Sequence, residues 1–262
     1  MSKWQTLKEK SKSFNISFVG MWLFLLCSVP IPALAERHVL PYEGFTIVLD
    51  CKHKGAVQFE YEAIADTGSF SRKHSFKLDP NAPPNCQQTS SDSYSAPGVR
   101  FDRGHLVPAN HLDHSKLAIS QSNYMTNILP QVASMNRGAW LRTEELIECR
   151  RDKENLHVVG GVVWGRNPDD DWFLESHGVE TPDYFWKAVI ANNEVIAWLI
   201  PNSARATRSR LDKYLISVDE LVEFLGNDYP IDGKDYFEHL DADERKHTPN
   251  KSWRIEPGCD KS

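Results

Sequence analysis

Three features are missing from this sequence, and each absence excludes a class of protein. No Cys-x-x-Cys pair occurs, which argues against a structural zinc site. No Gly/Ser-rich linker, internal repeat or low-complexity block divides the chain, so the sequence does not indicate a string of small domains. An excess of basic residues is also missing, which argues against a protein that binds nucleic acid tightly and stoichiometrically.

The charge balance becomes more acidic once the N-terminal leader is set aside. The chain has 30 Lys and Arg against 36 Asp and Glu; removing the leader's four Lys and one Glu leaves 26 and 35, a net charge near −9. An acidic chain can still act on nucleic acid if its cations cluster in one cleft and a metal adds positive charge there. Weak, salt-sensitive binding of this kind suits an enzyme that must turn over.

The first 35 residues have the organisation of a cleavable secretory signal. Four lysines come first, an apolar run over residues 18–26 follows, and two prolines precede the small-residue sequence Ala33-Leu34-Ala35. Because the apolar run is short for a full membrane span, we favour cleavage after Ala35 over an uncleaved membrane anchor. The mature chain is then residues 36–262, one domain that is secreted or periplasmic and has no stable membrane association.

The mature chain keeps an even number of cysteines, for which disulfides are the default in an exported protein. They are Cys51, Cys86, Cys149 and Cys259. Four cysteines allow three pairings, and the sequence alone does not choose among them. Pairing of Cys51 with Cys86 and of Cys149 with Cys259 is preferred, because the first bridge would tie a long polar surface loop, residues 79–98, to a strand end.

Hydrophobic periodicity predicts antiparallel hairpins and a few helices. Strands are expected at residues 45–49, 57–64, 156–164, 185–190 and 194–200, the last two joined by a turn at Asn192-Asn193. Helices are expected over residues 136–150 and over 217–225, where Ser217 and Glu220 form a capping-box pattern. The tail after Tyr236 is charged and poor in large apolar residues, which suggests a loosely packed extension.

The groups most suited to catalysis lie in the stretch Phe101–His105 and in the block Asn136–Trp140. His105 can act as a general base because imidazole ionises near neutral pH. Arg103 can donate to the non-bridging oxygens of a phosphate through its planar guanidinium. Asn136 offers a carbonyl oxygen, which suits a hard Mg²⁺ ion that keeps most of its waters. Together these groups predict metal-assisted hydrolysis of a phosphodiester.

These motifs resemble one family closely. The sequence Asp-Arg-Gly-His at residues 102–105, the segment Asn127–Gln131 and the block Asn136–Trp140 resemble, in this order, the DNA/RNA non-specific endonucleases. That family has the ββα-metal (His-Me finger) nuclease fold and includes mitochondrial endonuclease G and secreted bacterial nucleases. Further blocks extend the resemblance to most of residues 44–226. It implies an α+β fold with helices packed on a central antiparallel sheet.

The resemblance also implies a role for each matching residue. The motif histidine is the family's general base and falls on His105, and the motif arginine, which contacts phosphate, falls on Arg103. The asparagine of the second block is the single direct protein ligand to magnesium and falls on Asn136. A helix glutamate held to metal-bound waters falls on Glu144, eight residues later and about two helical turns away. The implied enzyme hydrolyses DNA and RNA with little sequence preference, uses Mg²⁺ with Mn²⁺ as a substitute, and leaves 5′-phosphate ends.

The roles of several other residues near these motifs are less closely defined by the sequence. Arg72 best matches a family arginine upstream of the motif, although the loop lengths differ there. Asn127 falls where the family has an asparagine near the active site, and it either orients the pocket or caps a backbone group. Glu144 could instead be a solvated residue on the helix surface. Arg137 lies near the predicted metal-binding helix and could contact a phosphate. Gly104 permits unusual backbone angles or close approach of a substrate backbone.

Simpler explanations are preferred for a further set of residues. Asp102 is expected to make a structural ion pair with an arginine, and Trp140 to pack in the core. His111 and His114 form His-x-x-His, but no third ligand is placed convincingly, so a solvated loop is favoured over zinc. The run Asp169–Asp171 follows a proline and is favoured as a turn over a cation site.

Three functions are compatible with these residues. The first is a metal-dependent endonuclease acting on DNA and RNA. The second is a non-catalytic nucleic-acid-binding or adhesion protein, which predicts a broken set of catalytic groups. The third is a phosphodiesterase for a small or lipid substrate, because fold does not fix function. The first is favoured because every expected group is present; strand preference and oligomeric state stay open.

Overall fold

The computed structural model describes residues 36–72, 75–166, 168–192, 194–226, 229–255 and 259. The signal predicted for residues 1–35 lies outside these ranges and stays a prediction, as does half of the turn predicted at Asn192-Asn193. Within the described ranges, no helix has the length and apolar character that crossing a bilayer requires.

The larger of two sheets has seven strands, and every neighbouring pair is antiparallel. In spatial order they are β1 (Arg37–Tyr42), β2 (Phe45–Asp50), β3 (Gly55–Ala63), β7 (Leu156–Trp164), β8 (Pro182–Ala191), β9 (Glu194–Pro201) and β10 (Leu215–Ile216). All five predicted strands lie in this sheet. The two edge strands were not predicted, because β1 is only half-buried and contains Pro41, while β10 has two residues.

The smaller sheet carries the predicted catalytic motif. It comprises β4 (Ser95–Ala96), β5 (Val99–His105) and β6 (Ile128–Val132), and β5 pairs with β6. The segment between β5 and β6 contains α1 (Lys116–Ser122). After β6 the chain enters α2 (Ala133–Met135), a π-helical turn (Asn136–Trp140) and α3 (Leu141–Arg151) without interruption. These elements form a ββα unit.

The remaining helices follow the large sheet in the chain. They are α4 (Val218–Leu225) and α5 (Ala242–Lys246). The capping box predicted for α4 is confirmed: the Ser217 hydroxyl accepts from the Glu220 amide, and the Glu220 carboxylate accepts from the Ser217 amide. Single 3₁₀ turns occur at Ala109–Leu112, Met125–Asn127 and Pro168–Asp170, and a longer 3₁₀ helix spans Arg208–Tyr214.

Apolar side chains cover the large sheet on both faces. Neighbours in β8 point to opposite faces, as a period of two requires: Phe185 packs beside Trp140 of the ββα unit, whereas Trp186 joins the cluster that contains Leu221 of α4. The Trp140 ring also meets Phe59 edge to face, with centroids 6.3 Å apart. The ββα unit therefore lies on one face of the sheet and α4 on the other, which confirms the α+β prediction.

Both preferred disulfides are present. Cys51 is bonded to Cys86 and Cys149 to Cys259, across 35 and 110 residues of chain. The second bridge corrects the prediction of a loosely packed tail, because it fastens the tail to α3. Phe237 and Leu240 add buried apolar contacts on the α4 side of the large sheet.

The loop at residues 79–98 also differs from its prediction as a surface loop. Asp79, Gln88 and Tyr94 are buried, and the side chain of Gln88 accepts from the Tyr94 hydroxyl. The Gln88 amide also donates to the main-chain oxygens of Met125 and Ile128. The buried glutamine side chains of this loop therefore satisfy internal backbone groups, while residues such as Asn85 and Asp92 remain exposed.

Candidate active site

A cleft of about 180 Å³ opens beside the ββα unit. Its lining comprises Arg72, Arg103, His105, Asn123, Asn136 and Glu144, together with Pro108, Ala109, Asn110 and Leu141. Five of the six residues predicted from the sequence therefore share one cavity. The sixth, Asn127, is fully buried and does not line it.

Strand pairing fixes the position of His105 relative to the helix. His105 ends β5 opposite Ile128, the first residue of β6, and β6 leads after one short turn into Asn136. The indole nitrogen of Trp140 donates to the main-chain oxygen of His105 at 3.0 Å. This hydrogen bond joins the end of the strand directly to the helix that carries Asn136 and Glu144.

The π-helical turn explains how Asn136 and Glu144 reach the same cleft. Eight residues of regular α-helix rotate through two turns plus about 80°, which would set the two side chains apart. A π-turn accommodates one extra residue and cancels about 100° of that rotation. The amide of Leu141 donates to the Asn136 oxygen, five residues earlier. Both residues line the cleft, as predicted, and the π-turn reduces the angular offset between them.

Asp102 fixes the orientation of the Asn136 side chain. The Asn136 amide nitrogen donates to Asp102 Oδ2 at 3.0 Å, and a carboxylate can only accept, so Asn136 Oδ1 is left available as an oxygen ligand. Arg137 donates to both oxygens of Asp102, at 2.7 and 2.6 Å. Partial burial opposes ionisation of Asp102, but the bonds from Arg137 and Asn136 hold the pKa of its carboxyl below the ordinary value.

The predicted ion pair of Asp102 is therefore confirmed, and its partner is Arg137. Arg137 is exposed, and its guanidinium donates two hydrogen bonds to this carboxylate. In this arrangement Arg137 acts through Asp102 on Asn136.

Asn123 orients the ring of His105. The Asn123 amide nitrogen donates to the Ile119 main-chain oxygen at 3.0 Å, which directs Asn123 Oδ1 to His105 Nε2 at 3.2 Å. Nε2 must then carry the proton of the neutral ring, so the basic lone pair resides on Nδ1. Asn123 was not predicted from the sequence, although it lies only four residues before the segment Asn127–Gln131.

Asn127 supports the chain that follows His105. Its side-chain oxygen accepts from the Val107 amide at 3.0 Å, and its side-chain nitrogen donates to the main-chain oxygens of Val107 and Ser122. The sequence left two roles for Asn127, orienting the pocket or capping a backbone group. Its contacts are those of a side chain that caps backbone groups. Since it does not touch the cleft, Asn127 is a positioning residue.

Two arginines give the cleft its positive charge. The Arg103 guanidinium donates to the Ser91 main-chain oxygen at 2.7 Å and lies 4.2 Å from the centroid of the Phe76 ring. Arg72 enters from the loop before β4 and is exposed. The lining thus contains two guanidinium groups against one carboxylate, Glu144. This is the local cluster of cations that an acidic chain needs to approach a phosphate.

Glu144 interacts electrostatically with a buried lysine, Lys187. Lys187 of β8 is fully buried, donates to the Thr143 hydroxyl at 2.9 Å, and has its ammonium 3.7 Å from the centroid of the Trp140 ring. Burial raises the pKa of Glu144, and the ammonium of Lys187 opposes this rise. Burial also lowers the pKa of Lys187, which Glu144 opposes. Each charge therefore stabilises the other within the protein.

Two sequence interpretations need correction. Gly104 does not make room for a substrate, because a Cβ at this position would lie 2.2 Å from the side chain of Gln131, which fills the space. His111 is not in a solvated loop, because it is fully buried. Its Nδ1 is 2.8 Å from the Tyr61 hydroxyl, and its Nε2 is 3.1 Å from Glu148. Only His114 of the pair is exposed.

The remaining interpretations agree with the described contacts. Trp140 is fully buried in the core. Residues 168–170 form a single 3₁₀ turn, and Asp171 accepts a hydrogen bond from the Thr181 amide, as a turn-forming residue does.

The donor set of the cleft fits a hard divalent cation. A neutral amide oxygen from Asn136 and a carboxylate from Glu144 are oxygen ligands of the type that Mg²⁺ prefers. Among the described residues that line the cleft there is no thiolate and no cluster of imidazoles, so this lining offers no donors that match a soft metal. Asn136 would bind the ion directly, and Glu144 would accept from its waters.

Comparison with known proteins gives one consistent result. A profile of the family described as "DNA/RNA non-specific endonuclease" matches residues 25–241. The human mitochondrial nuclease EXOG is 28% identical over 191 residues, 66% of this chain and 49% of its own. Human mitochondrial endonuclease G is 24% identical over 213 residues, 75% of this chain and 70% of its own. A nuclease of Serratia marcescens is 28% identical over 178 residues, 64% of each chain.

A solved structure shares the fold. The crystal structure of an EndoG/EndoGI complex superposes with a TM-score of 0.60 over 72% of this chain and 83% of the other, at 18% identity. This similarity confirms the predicted fold class. The chain spans about half the length of the EXOG relatives that it matches.

Proposed function

Because the chain belongs to the DNA/RNA non-specific endonuclease family, we propose that it hydrolyses phosphodiester bonds of DNA and RNA with little sequence preference, using Mg²⁺. The observation that supports this most is the single cleft shared by His105, Arg103, Asn136 and Glu144. The cleft offers a base, a phosphate-binding cation and oxygen ligands for a metal together. These are groups that bind a phosphate and a cation, and contacts to the phosphate backbone carry no direct sequence information, which supports the proposed lack of sequence preference.

In this proposal His105 accepts the proton of the attacking water on Nδ1, because Asn123 holds the other ring nitrogen as a donor. Arg103 and Arg72 donate to the non-bridging oxygens of the phosphate, where negative charge increases in the transition state. Cleavage of the bond between phosphorus and the 3′ oxygen leaves a 5′-phosphate and a 3′-hydroxyl. A Mg²⁺ ion held by Asn136 would supply positive charge and acidic waters that stabilise and protonate the leaving 3′ oxygen.

Export of the mature chain is part of the same proposal. It is supported by the signal pattern of residues 1–35 and by two disulfides, which persist in oxidising compartments. We place the protein in the periplasm or outside the cell. N-terminal sequencing of material recovered from that compartment tests this: a start at Glu36 is expected, and a start at Met1 would contradict cleavage.

A nuclease assay with defined metals tests the proposed reaction. Purified mature protein is added to supercoiled plasmid and to RNA with Mg²⁺, with EDTA, and with Mg²⁺ restored. Cleavage of both substrates with Mg²⁺, none with EDTA, and 5′-phosphorylated ends are expected. Asn136→Ala should need more Mg²⁺ for half-maximal cleavage, by about 10- to 100-fold, whereas Asn250→Ala, at an exposed site, should match the wild type. Cleavage of neither substrate would overturn the proposal.

A further inference from the structure

A second groove, of about 520 Å³, adjoins the active-site cleft. The two cavities share Asn123, the residue that orients His105. Phe70, Ser71, Ser75 and Lys77 line one side of the groove, and Lys116, Ile119 and Ser120 of helix α1 line the other. A strand leaving the cleft past Asn123 would enter this groove directly.

Hydrogen bonds hold the walls of the groove in place. The amide of Phe70 donates to the Asp113 main-chain oxygen. The amide of Lys77 donates to the Asn123 main-chain oxygen at 3.2 Å, and the Lys77 oxygen accepts from the Met125 amide at 2.9 Å. Phe76 packs against His105 in the cleft, whereas Lys77 lines the groove, as alternation in an extended chain requires. The neighbouring residues Phe76 and Lys77 therefore connect His105 to the groove.

The groove presents two ammonium groups. Lys77 Nζ contacts the Ser120 hydroxyl at 3.2 Å and lies 4.9 Å from the Tyr124 ring centroid. Lys116 Nζ lies 5.0 Å from the Phe70 ring centroid. Neither is within ion-pair distance of a carboxylate in the described part of the chain. In a protein with a net charge of −6, two cations without a carboxylate partner beside a cationic cleft suit a polyanion.

The groove also presents an aromatic ring. Phe70 is 41% exposed, which leaves part of its ring accessible to a ligand. Stacking of bases on aromatic rings, combined with lysines along the backbone, is how proteins hold single strands without reading sequence. A duplex keeps both faces of each base stacked, so the ring can reach only an unpaired base.

We propose that this groove binds unpaired nucleotides next to the scissile phosphodiester, an inference that rests on the proposed function. Lys77 and Lys116 contact the phosphates, and one base stacks on Phe70. The groove extends the substrate site from a single phosphate to a short single-stranded segment of DNA or RNA.

Binding measurements test the groove separately from catalysis. Fluorescence anisotropy of a labelled single-stranded 12-mer and of its duplex is recorded in EDTA with the uncleaving His105→Ala protein. Into this background we place Lys77→Gln, Lys116→Gln or Phe70→Ala. The matched control is Lys246→Gln, because Lys246 is exposed on α5, which contacts α4 on the opposite side of the large sheet. All four positions are exposed, and unfolding midpoints confirm that each variant folds.

Phe70→Ala should weaken single-strand binding by about 5- to 100-fold and duplex binding by less than about twofold. Each lysine substitution should reduce the slope of log affinity against log salt by about 0.7, the share of one phosphate contact on a single strand. Lys246→Gln should change neither quantity. Equal binding by the groove variants and the control would overturn the groove. Wild-type protein that binds through the groove but cleaves nothing would overturn the proposed function alone.

Discussion

The carboxylate of Asp102 accepts a hydrogen bond from the side-chain amide of Asn136, at 3.0 Å between Oδ2 and Nδ2. This contact determines which atom of Asn136 is available to a cation. Asp102 of the first motif thus positions Asn136, the metal ligand that we propose in the second, although 34 residues separate the two in the chain.

Replacing Asp102 should therefore weaken metal binding without removing the general base. In Asp102→Ala the Asn136 side chain is free to rotate, and we expect the Mg²⁺ concentration for half-maximal cleavage to rise by about 10- to 100-fold. Arg137→Met is the matched comparison, because it removes the other partner of Asp102 and keeps the Asn136 contact. An unchanged Mg²⁺ dependence in Asp102→Ala would show that this contact does not orient the ligand.

Asn127 should matter for stability before it matters for chemistry. Asn127→Ala leaves the amide and oxygen of Val107 and the oxygen of Ser122 without this partner in a buried setting. We expect the free energy of unfolding in urea to fall by about 2–4 kcal/mol. The cleavage rate should fall as well, since the backbone after His105 loses its support. A variant as stable as Asn250→Ala would contradict the role assigned to these hydrogen bonds.

Lys187 should set the pH range in which Glu144 is ionised. Lys187→Met removes the ammonium that opposes the burial of Glu144, so the pKa of Glu144 should rise further. If cleavage needs the ionised carboxylate, the acid limb of the pH–rate profile moves to higher pH. Lys246→Met is the exposed control. A lower rate with an unshifted acid limb would assign Lys187 a structural role only.

His111 should make the fold sensitive to acid. Burial lowers the pKa of His111 despite the nearby Glu148, so the folded protein keeps its imidazole neutral below the ordinary value of 6.5. The unfolded chain then binds the additional proton, and stability falls as the pH decreases through 6.5. Glu148 also makes stability fall in acid. Burial raises the pKa of its carboxyl, but the hydrogen bonds from His111 and Arg151 outweigh burial, so the net pKa is below the ordinary value. Its contribution is lost at still lower pH.

Urea unfolding at pH 7.5, 6.5 and 5.5 measures this dependence. His111→Gln should be less stable than the wild type at pH 7.5, because the contacts to Tyr61 and Glu148 change. Between pH 6.5 and 5.5 it should lose less stability than the wild type does. His239→Gln, at an exposed histidine, should follow the wild-type slope. Parallel slopes for all three proteins would exclude His111 as the source of acid sensitivity.

Local sequence patterns predicted the parts of the fold that local physics determines. Alternating apolar residues identified β3, and a serine followed by a glutamate three residues later identified the start of α4. His105 and Asn136 were found because their motifs are contiguous. Contacts made by folding were not visible in this way. The approach of Lys187 to Thr143 spans 44 residues, and the burial of His111 depends on Tyr61 and Glu148.

Two features of the site depend on backbone geometry that composition does not reveal. The π-turn at Asn136–Trp140 has no residue that breaks an α-helix in an obvious way, yet it brings Glu144 round to face the cleft. Asn123 orients His105 from the end of α1, a helix that the apolar pattern did not predict. Conversely, β1 was missed because an edge strand needs only one hydrogen-bonded side, and it tolerates Pro41.

The central claim is that His105 is the base of a metal-dependent nuclease. The most direct measurement compares the cleavage rates of wild type, His105→Ala and His239→Ala on plasmid DNA and RNA with saturating Mg²⁺. We predict a loss of about 10²–10⁴-fold for His105→Ala, an unchanged urea midpoint, and full activity for His239→Ala. A His105→Ala protein that cleaves both substrates at the wild-type rate would contradict the account.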